Sequence, residues 1–339
     1  VKNLSLVLHG IRDLRLHEDE APAPGPRQVL VQVEAVGVCG SDSHYYYHGK
    51  IGPYVVERPL VLGHEAAGTV VQAGPGTSKH TAGSRVAIEP GEPCGACAMC
   101  RTGRYNLCPD MRFLATPPID GAFTRFIAVH EDFAHPIPET LTAEEAALLE
   151  PLSVGLWAAK RGQVEVGDRV LVTGSGPVGI LAAESARASG ARSVMVTDVN
   201  DFRLGMAERH GFDVRNVSTA DLPGLAGQYD VAIECSGAAG ALGAAMRRLR
   251  PGGRAVMVGL PATPDVPLPL VDLHHRELTV TTIFRYAHTW PTAIGLVASG
   301  SVNVADLVTH RFPLAQAEEA LTASAELSGV MKPMVLCQE

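Results

Sequence analysis

The chain has 339 residues and a formal charge of −8, with 46% hydrophobic and 19% charged residues, which excludes a disordered or fibrous protein and allows two or three domains. Net acidity argues against a general binder of nucleic-acid phosphates. Four of the seven cysteines fall between positions 94 and 108, a clustering that suits metal ligation in a reducing compartment better than a disulfide framework.

Lys2, Asn3, Ser5 and His9 interrupt the first ten residues, so no signal-type apolar core appears there. No run approaches the roughly 18 apolar residues that span a bilayer. A soluble cytoplasmic protein is expected. Along the first 150 residues, short β segments alternate with Gly and Pro. Residues 28–38 carry Val29, Val31 and Val33 at alternate positions, a period-two strand pattern, and 68–72 and 84–89 read as further strands. The pattern changes near Leu152. Strands at 169–173, 193–197, 229–235 and 254–259 alternate with helices at 180–188, 202–210 and 238–249. Such alternation points to βαβ units and a parallel sheet covered on both faces. A strand at 307–312, a helix from Pro313 and a strand at 330–336 close the chain. Periodicity leaves open whether these extend that sheet or return to the first half.

Gly174, Gly176 and Gly179, with Pro177 and Val178 between the last two, match the GxGxxG dinucleotide fingerprint. The first glycine permits the turn, the second lets a pyrophosphate approach, and the third lets helix and strand pack closely. The unpaired N–H groups at the helix start then face the phosphates. Asp198, 19 residues beyond Gly179, is placed to accept from the adenosine ribose 2′-OH and to repel a 2′-phosphate, which favours NAD over NADP. Arg203 argues the other way, since a guanidinium suits a 2′-phosphate.

Cys94, Cys97, Cys100 and Cys108 supply four thiols within a Gly-containing polar segment. Four thiolates close a tetrahedral zinc site with no open position, so this site is read as structural. A second set is dispersed: Cys39, His64, Glu65 and Glu150. Mixed Cys, His and carboxylate donors suit a catalytic zinc that leaves a position for water or substrate. Each is equally well read by itself as a buried or solvated residue.

The motifs in order carry more. Gly37-Val38-Cys39-Gly40-Ser41-Asp42-Ser43-His44, Gly63-His64-Glu65, the Cys94 to Cys108 loop, Glu150-Pro151-Leu152-Ser153-Val154-Gly155 and the Gly174 to Gly179 turn together resemble the zinc-dependent medium-chain dehydrogenases. Ile88-Glu89-Pro90-Gly91, Ala115-Thr116-Pro117-Pro118, Phe284-Arg285-Tyr286 and Val308-Thr309-His310-Arg311-Phe312 resemble their polyol (sorbitol/xylitol) branch. The better-known animal members of that branch lack the full four-cysteine loop, which this chain retains.

The resemblance implies an α/β protein with a discontinuous, β-rich GroES-like catalytic domain (1–152 and 285–339) and a Rossmann NAD-binding domain (153–284). It implies a catalytic zinc on Cys39, His64 and Glu65, with Glu150 as a further ligand or as holder of a bound water. The choice between Glu65 and Glu150 stays open. A structural zinc on the four clustered cysteines is the second expected ion. Zinc lowers the pKa of a bound oxygen, so a substrate hydroxyl can lose its proton as hydride passes to C4 of NAD. Ser41 and His44 match positions that pass this proton to solvent, and Asp42 is placed to orient His64. Tyr45, Thr116, Glu150, Arg285 and Tyr286 are the candidates for the substrate's other hydroxyls. The alternative for Tyr45 with Tyr46 and Tyr47 is ordinary loop surface, and for Phe284 to Tyr286 a strand end. Val258, Ile283, Phe284 and Arg285 are further cofactor candidates. The expected activity is oxidation of a secondary hydroxyl of a polyol to a ketose, in a homotetramer. Alternatives are a sugar acid such as idonate, L-threonine, or a dinucleotide-binding protein without chemistry. Chain length and stereochemistry of the polyol are read by pocket shape, which residue spacing does not encode.

Overall fold

Val29, Val31 and Val33 are all fully buried, and the strand that carries them, Gln28–Gly37, is the hub of a seven-stranded sheet. The computed structural model describes residues 1–219, 227–263 and 265–339. Around the hub the sheet runs Ala134–Pro136, Arg85–Ile88, Glu65–Ala73, Gln28–Gly37, Lys332–Leu336 and Val308–Pro313, with Phe126–His130 also paired to Gln28–Gly37. The C-terminal strand therefore returns to the first half, with Met334 opposite Gly37. Alternate residues of these strands pack with Leu8, Leu62, Phe123, Leu321 and Val335 into one core. Phe123 is fully buried, and its ring leaves a Cβ at Gly63 only 2.8 Å away, so Gly63, at φ +86°, suits glycine alone. Truncating Phe123 to Ala would cost about 3–5 kcal/mol.

The second sheet has six parallel strands in the order Asp213–Asn216, Ser193–Asp198, Arg169–Thr173, Tyr229–Glu234, Leu249–Met257 and Thr279–Thr282. Counted along the chain that is 3-2-1-4-5-6, the doubly wound order whose reversal point lies at the Arg169–Thr173 strand. Leu171, Ala232, Leu242, Met246, Leu249 and Ala255 form a core beneath it.

Two compact units result: Val1–Glu150 with Trp290–Ala298 and Val304–Glu339, and Pro151–Thr289 with Ser299–Asn303. Several elements differ from the sequence expectation. Residues 40–48 form a helix, Gly40–His48, in which Tyr45 and Tyr46 are buried, so these tyrosines are not loop surface. The strand expected at 68–72 starts at Glu65, and the helix expected at 238–249 is Ala241–Arg247. A single 3-10 turn, Leu314–Gln316, precedes the last helix, Ala317–Glu326. Helices with weak amphipathic contrast, such as Gly40–His48, escape a periodicity reading because tertiary packing rather than pattern holds them.

Candidate active site

In the first unit, Cys39 caps the N-terminus of the Gly40–His48 helix in extended conformation. Asp42, fully buried, ties this cap to the strand that follows: its Oδ2 accepts from the Cys39 N–H at 2.9 Å and its Oδ1 from the Gly63 N–H at 2.9 Å. Asp42 Oδ1 also lies 3.8 Å from His64 Nδ1. The result is that Cys39, His64 and Glu65 bring a thiol, an imidazole and a carboxylate within 4.8 Å of one another. Burial opposes protonation of His64, but Cys39 and Asp42 more than offset it and hold its pKa well above the ordinary value. A place that draws a proton so strongly suits a divalent cation, and mixed S, N and O donors suit zinc. Glu65 stands opposite Gly37 in register, where a Cβ would come within 2.1 Å of its Oε2. Glycine at 37 is therefore a condition for the carboxylate to sit there.

Glu150 is buried in the first turn of the Leu149–Arg161 helix and lies outside the group of three, yet near enough for its charge to act on Lys332. Ser41 is half-buried and His44 exposed, three residues apart on one helix face. Tyr45 is hydrogen-bonded to Thr116, and burial pushes its phenol up to about 12, so it stays a donor at neutral pH.

The four-cysteine loop also lies in this unit. Its Sγ atoms are 3.5 Å (Cys97 to Cys100), 3.9 Å (Cys97 to Cys108) and 4.0 Å (Cys94 to Cys100) apart. Tetrahedral zinc with Zn–S about 2.3 Å requires about 3.8 Å between thiolates. Among the described residues all seven cysteines are free of disulfides. Backbone N–H groups of Ala96 and Cys97 lower the Cys94 thiol to about 7, which readies it for metal. Both sets of donors therefore fit zinc.

In the second unit, the three fingerprint glycines behave differently from one another. A Cβ at Gly174, at φ +89°, would meet the Ser236 backbone at 2.8 Å. At Gly179 it would lie 1.8 Å from the Gly174 carbonyl, so helix and strand touch there. At Gly176 nothing lies within 4 Å, which leaves open space at the start of the Pro177–Ala188 helix, whose first residues are Pro177 and Val178. Asp198 ends its strand with Oδ2 accepting from the Ser175 N–H at 2.6 Å and Oδ1 from the Val199 and Asn200 N–H groups at 2.7 and 3.0 Å. Its orientation is set, with lone pairs remaining on Oδ2. A cavity of about 760 Å³ opens beside it, lined by Gly174, Asp198, Ser236, Gly240, Arg247 and Arg248 among others. These features fit a dinucleotide.

Arg203 is not among the residues lining that cavity; its N–H caps its own helix on Asn200 Oδ1 at 3.1 Å. Val258 and Ile283 are half-buried and bonded through their N–H groups to Glu234 and Met257. Phe284 is exposed, with the Arg285 guanidinium 4.6 Å from its ring centroid, and Tyr286 is buried. None of these five lines the cavity.

Two family models match the chain, the alcohol dehydrogenase GroES-like domain over residues 25–139 and the zinc-binding dehydrogenase model over 177–299. Sorbitol dehydrogenase from Bos taurus is 46% identical over 99% of this chain and 96% of its own length. The chain belongs to the zinc-dependent medium-chain dehydrogenases, in their polyol branch. The solved structure of L-idonate 5-dehydrogenase from Escherichia coli superposes with a TM-score of 0.94 at 31% identity, covering 99% of both chains. A zinc-binding dehydrogenase from Sinorhizobium meliloti bound to NADP does so with 0.92 at 30% identity, covering 99% of this chain and 100% of that one.

Lys332, buried on the C-terminal strand, donates to both oxygens of Glu65 at 2.8 Å. Burial opposes its charge, but Glu65 and Cys39 more than offset this and raise its pKa above the usual lysine value. Glu234, also buried, accepts from the Ser236 and Gly237 N–H groups at 2.7 and 3.0 Å and shapes the turn that lines the cavity. Arg247 and Arg248 add positive charge to the same wall. No motif announces these four. An isolated lysine in an apolar strand, Lys332-Pro333-Met334-Val335-Leu336, is the one local signal, because a buried cation needs a partner.

Proposed function

We propose that the protein is a zinc- and NAD-dependent dehydrogenase that oxidises a secondary hydroxyl of a polyol, of the sorbitol, xylitol, iditol or galactitol type, to a ketose. The observation that carries this reading is the group formed by half-buried Cys39 with buried His64 and Glu65, in a chain 46% identical, almost end to end, to a sorbitol dehydrogenase. Zinc at that group supplies Lewis acidity to a substrate hydroxyl, and NAD supplies the hydride acceptor.

The chain's own residues do the rest. Cys39, His64 and Glu65 hold the ion, and Asp42 fixes the first two by tying their backbone segments together. Glu150, with its separate buried position, is assigned to a water or a substrate hydroxyl beside the ion. Tyr45, paired with Thr116, donates to a neighbouring hydroxyl of the polyol, and Arg285 and Tyr286 are assigned to the hydroxyls beyond. Ser41 and His44 would carry the hydroxyl proton outward along one helix face to solvent. Cys94, Cys97, Cys100 and Cys108 hold a structural zinc.

For the cofactor, Gly174, Gly176, Pro177, Val178 and Gly179 take the pyrophosphate, and Asp198 takes the ribose diol, which favours NAD. Arg203, Val258, Ile283, Phe284 and Arg285 are assigned to its remaining length. We assign the domains to 1–152 with 285–339 and to 153–284, and the assembly to a cytoplasmic homotetramer. Among the described residues no helix is long and apolar enough to cross a membrane. The similarity to L-idonate 5-dehydrogenase supports a second reading, the same chemistry on a sugar acid.

Initial rates with a panel of polyols, L-idonate and L-threonine at saturating NAD test the reading. Turnover of at least one polyol with ketose formation is expected. Turnover confined to L-idonate supports the second reading, and turnover confined to L-threonine overturns both.

A further inference from the structure

Lys332 opens the strand Lys332–Leu336, which the C-terminal end of the chain lays beside Gln28–Gly37. Its side chain is 4% exposed. An ammonium has three N–H bonds, and this one has three acceptors: Glu65 Oε1 and Oε2, both at 2.8 Å, and the Val38 carbonyl at 2.9 Å. Val38 precedes Cys39 and Glu65 follows His64, so one cation grips both segments that bear the Cys39, His64 and Glu65 group. Gly37 lies on the strand between the two, opposite both Glu65 and Met334, and leaves no room for a Cβ, which would fall 2.1 Å from Glu65 Oε2. Lysine and carboxylate meet across a bare stretch of backbone.

A half-buried thiolate and a buried carboxylate within 4.8 Å of each other repel. Breaking a buried ion pair by removing one partner leaves the other charge uncompensated, which is far worse than never burying the pair. Resting on the reading that Cys39, His64 and Glu65 hold a divalent ion, we propose that Lys332 is the internal counter-cation of that site, a positioning residue that holds the Glu65 carboxylate against Cys39 and His64 before an ion enters. Once an ion is bound, Glu65 has two cations to answer, and the lysine matters less. Loss of the lysine therefore harms the ion-free protein more than the zinc-loaded one. A lysine that merely anchored the C-terminal strand would matter equally in both.

The experiment is thermal melting of the full-length protein, zinc-loaded and chelator-treated, for wild type, Lys332→Met, Lys332→Arg and the double variant Lys332→Met/Glu65→Gln. The chelator response of Cys39→Ser, which keeps only the four-cysteine ion, is subtracted. In Lys332→Met the zinc-dependent rise in melting temperature grows by about 5–10 °C over wild type. Lys332→Arg stays near wild type, and the double variant returns the chelated form to near its wild-type melting point. Equal losses in loaded and chelated Lys332→Met, with a normal zinc response in wild type, overturn the proposal alone. No zinc response in wild type after the subtraction overturns the metal-site reading beneath it. Should Lys332→Met fail to fold even with zinc, the double variant decides: a folded double supports the counter-cation, and an unfolded double refutes it.

Discussion

The first unit carries two groups of side chains that could hold a metal ion, and they are built on opposite plans. The four-cysteine loop draws all its donors from fifteen consecutive residues, uses one donor type, and ranges from exposed to buried. The Cys39, His64 and Glu65 group draws on a helix cap and a strand start, mixes three donor types, and is backed by a buried lysine from the far end of the chain. A loop that closes on its own ion needs nothing from the rest of the fold. A group that must keep a position open for substrate needs its ligands held by packing, because the ion alone would not hold them apart.

That contrast can be broken by substitution. Cys39→Ser should reduce turnover by about a thousandfold or more while leaving one zinc per chain in metal analysis. Two remaining zincs would show that Cys39 is no ligand. Cys100→Ser should do the reverse: the melting temperature drops by roughly 10 °C or more, while turnover measured well below the transition is largely kept. Loss of turnover in folded Cys100→Ser would make the two sites one functional unit.

Smaller effects sharpen the same division. Asp198→Ala should weaken NAD binding roughly tenfold with little change for NADP, measured as Kd by fluorescence titration. Equal weakening of both would remove Asp198 from the ribose. Tyr45→Phe should raise KM for the polyol by about fivefold and leave zinc content unchanged, since one hydrogen bond is lost and the ring still packs. An unchanged KM would return Tyr45 to the core, where its burial alone would explain it.

Much of the fold was legible because its signals are local. Alternating valines at 29, 31 and 33 marked the hub strand, and the glycines at 174, 176 and 179 marked the cofactor turn, where each glycine answers a separate steric demand. The Gly40–His48 helix was not legible, since its tyrosines are held by packing and not by an amphipathic stripe. Asp42 was read as a partner of His64; its two backbone hydrogen bonds, which join Cys39 to Gly63, are visible only in three dimensions.

By itself the sequence determined the ligand types, the thiol cluster, the dinucleotide fingerprint and the acid that follows it, because spacing within a loop or a turn is set by short-range geometry. Tertiary structure alone decided that Glu65 lies with Cys39 and His64 while Glu150 falls outside that group of three, and that Lys332 reaches that carboxylate across Gly37. The physical reason is that a buried charge takes its meaning from its partner, and Lys332 lies 267 residues from Glu65, brought near by a strand pairing that no local pattern encodes.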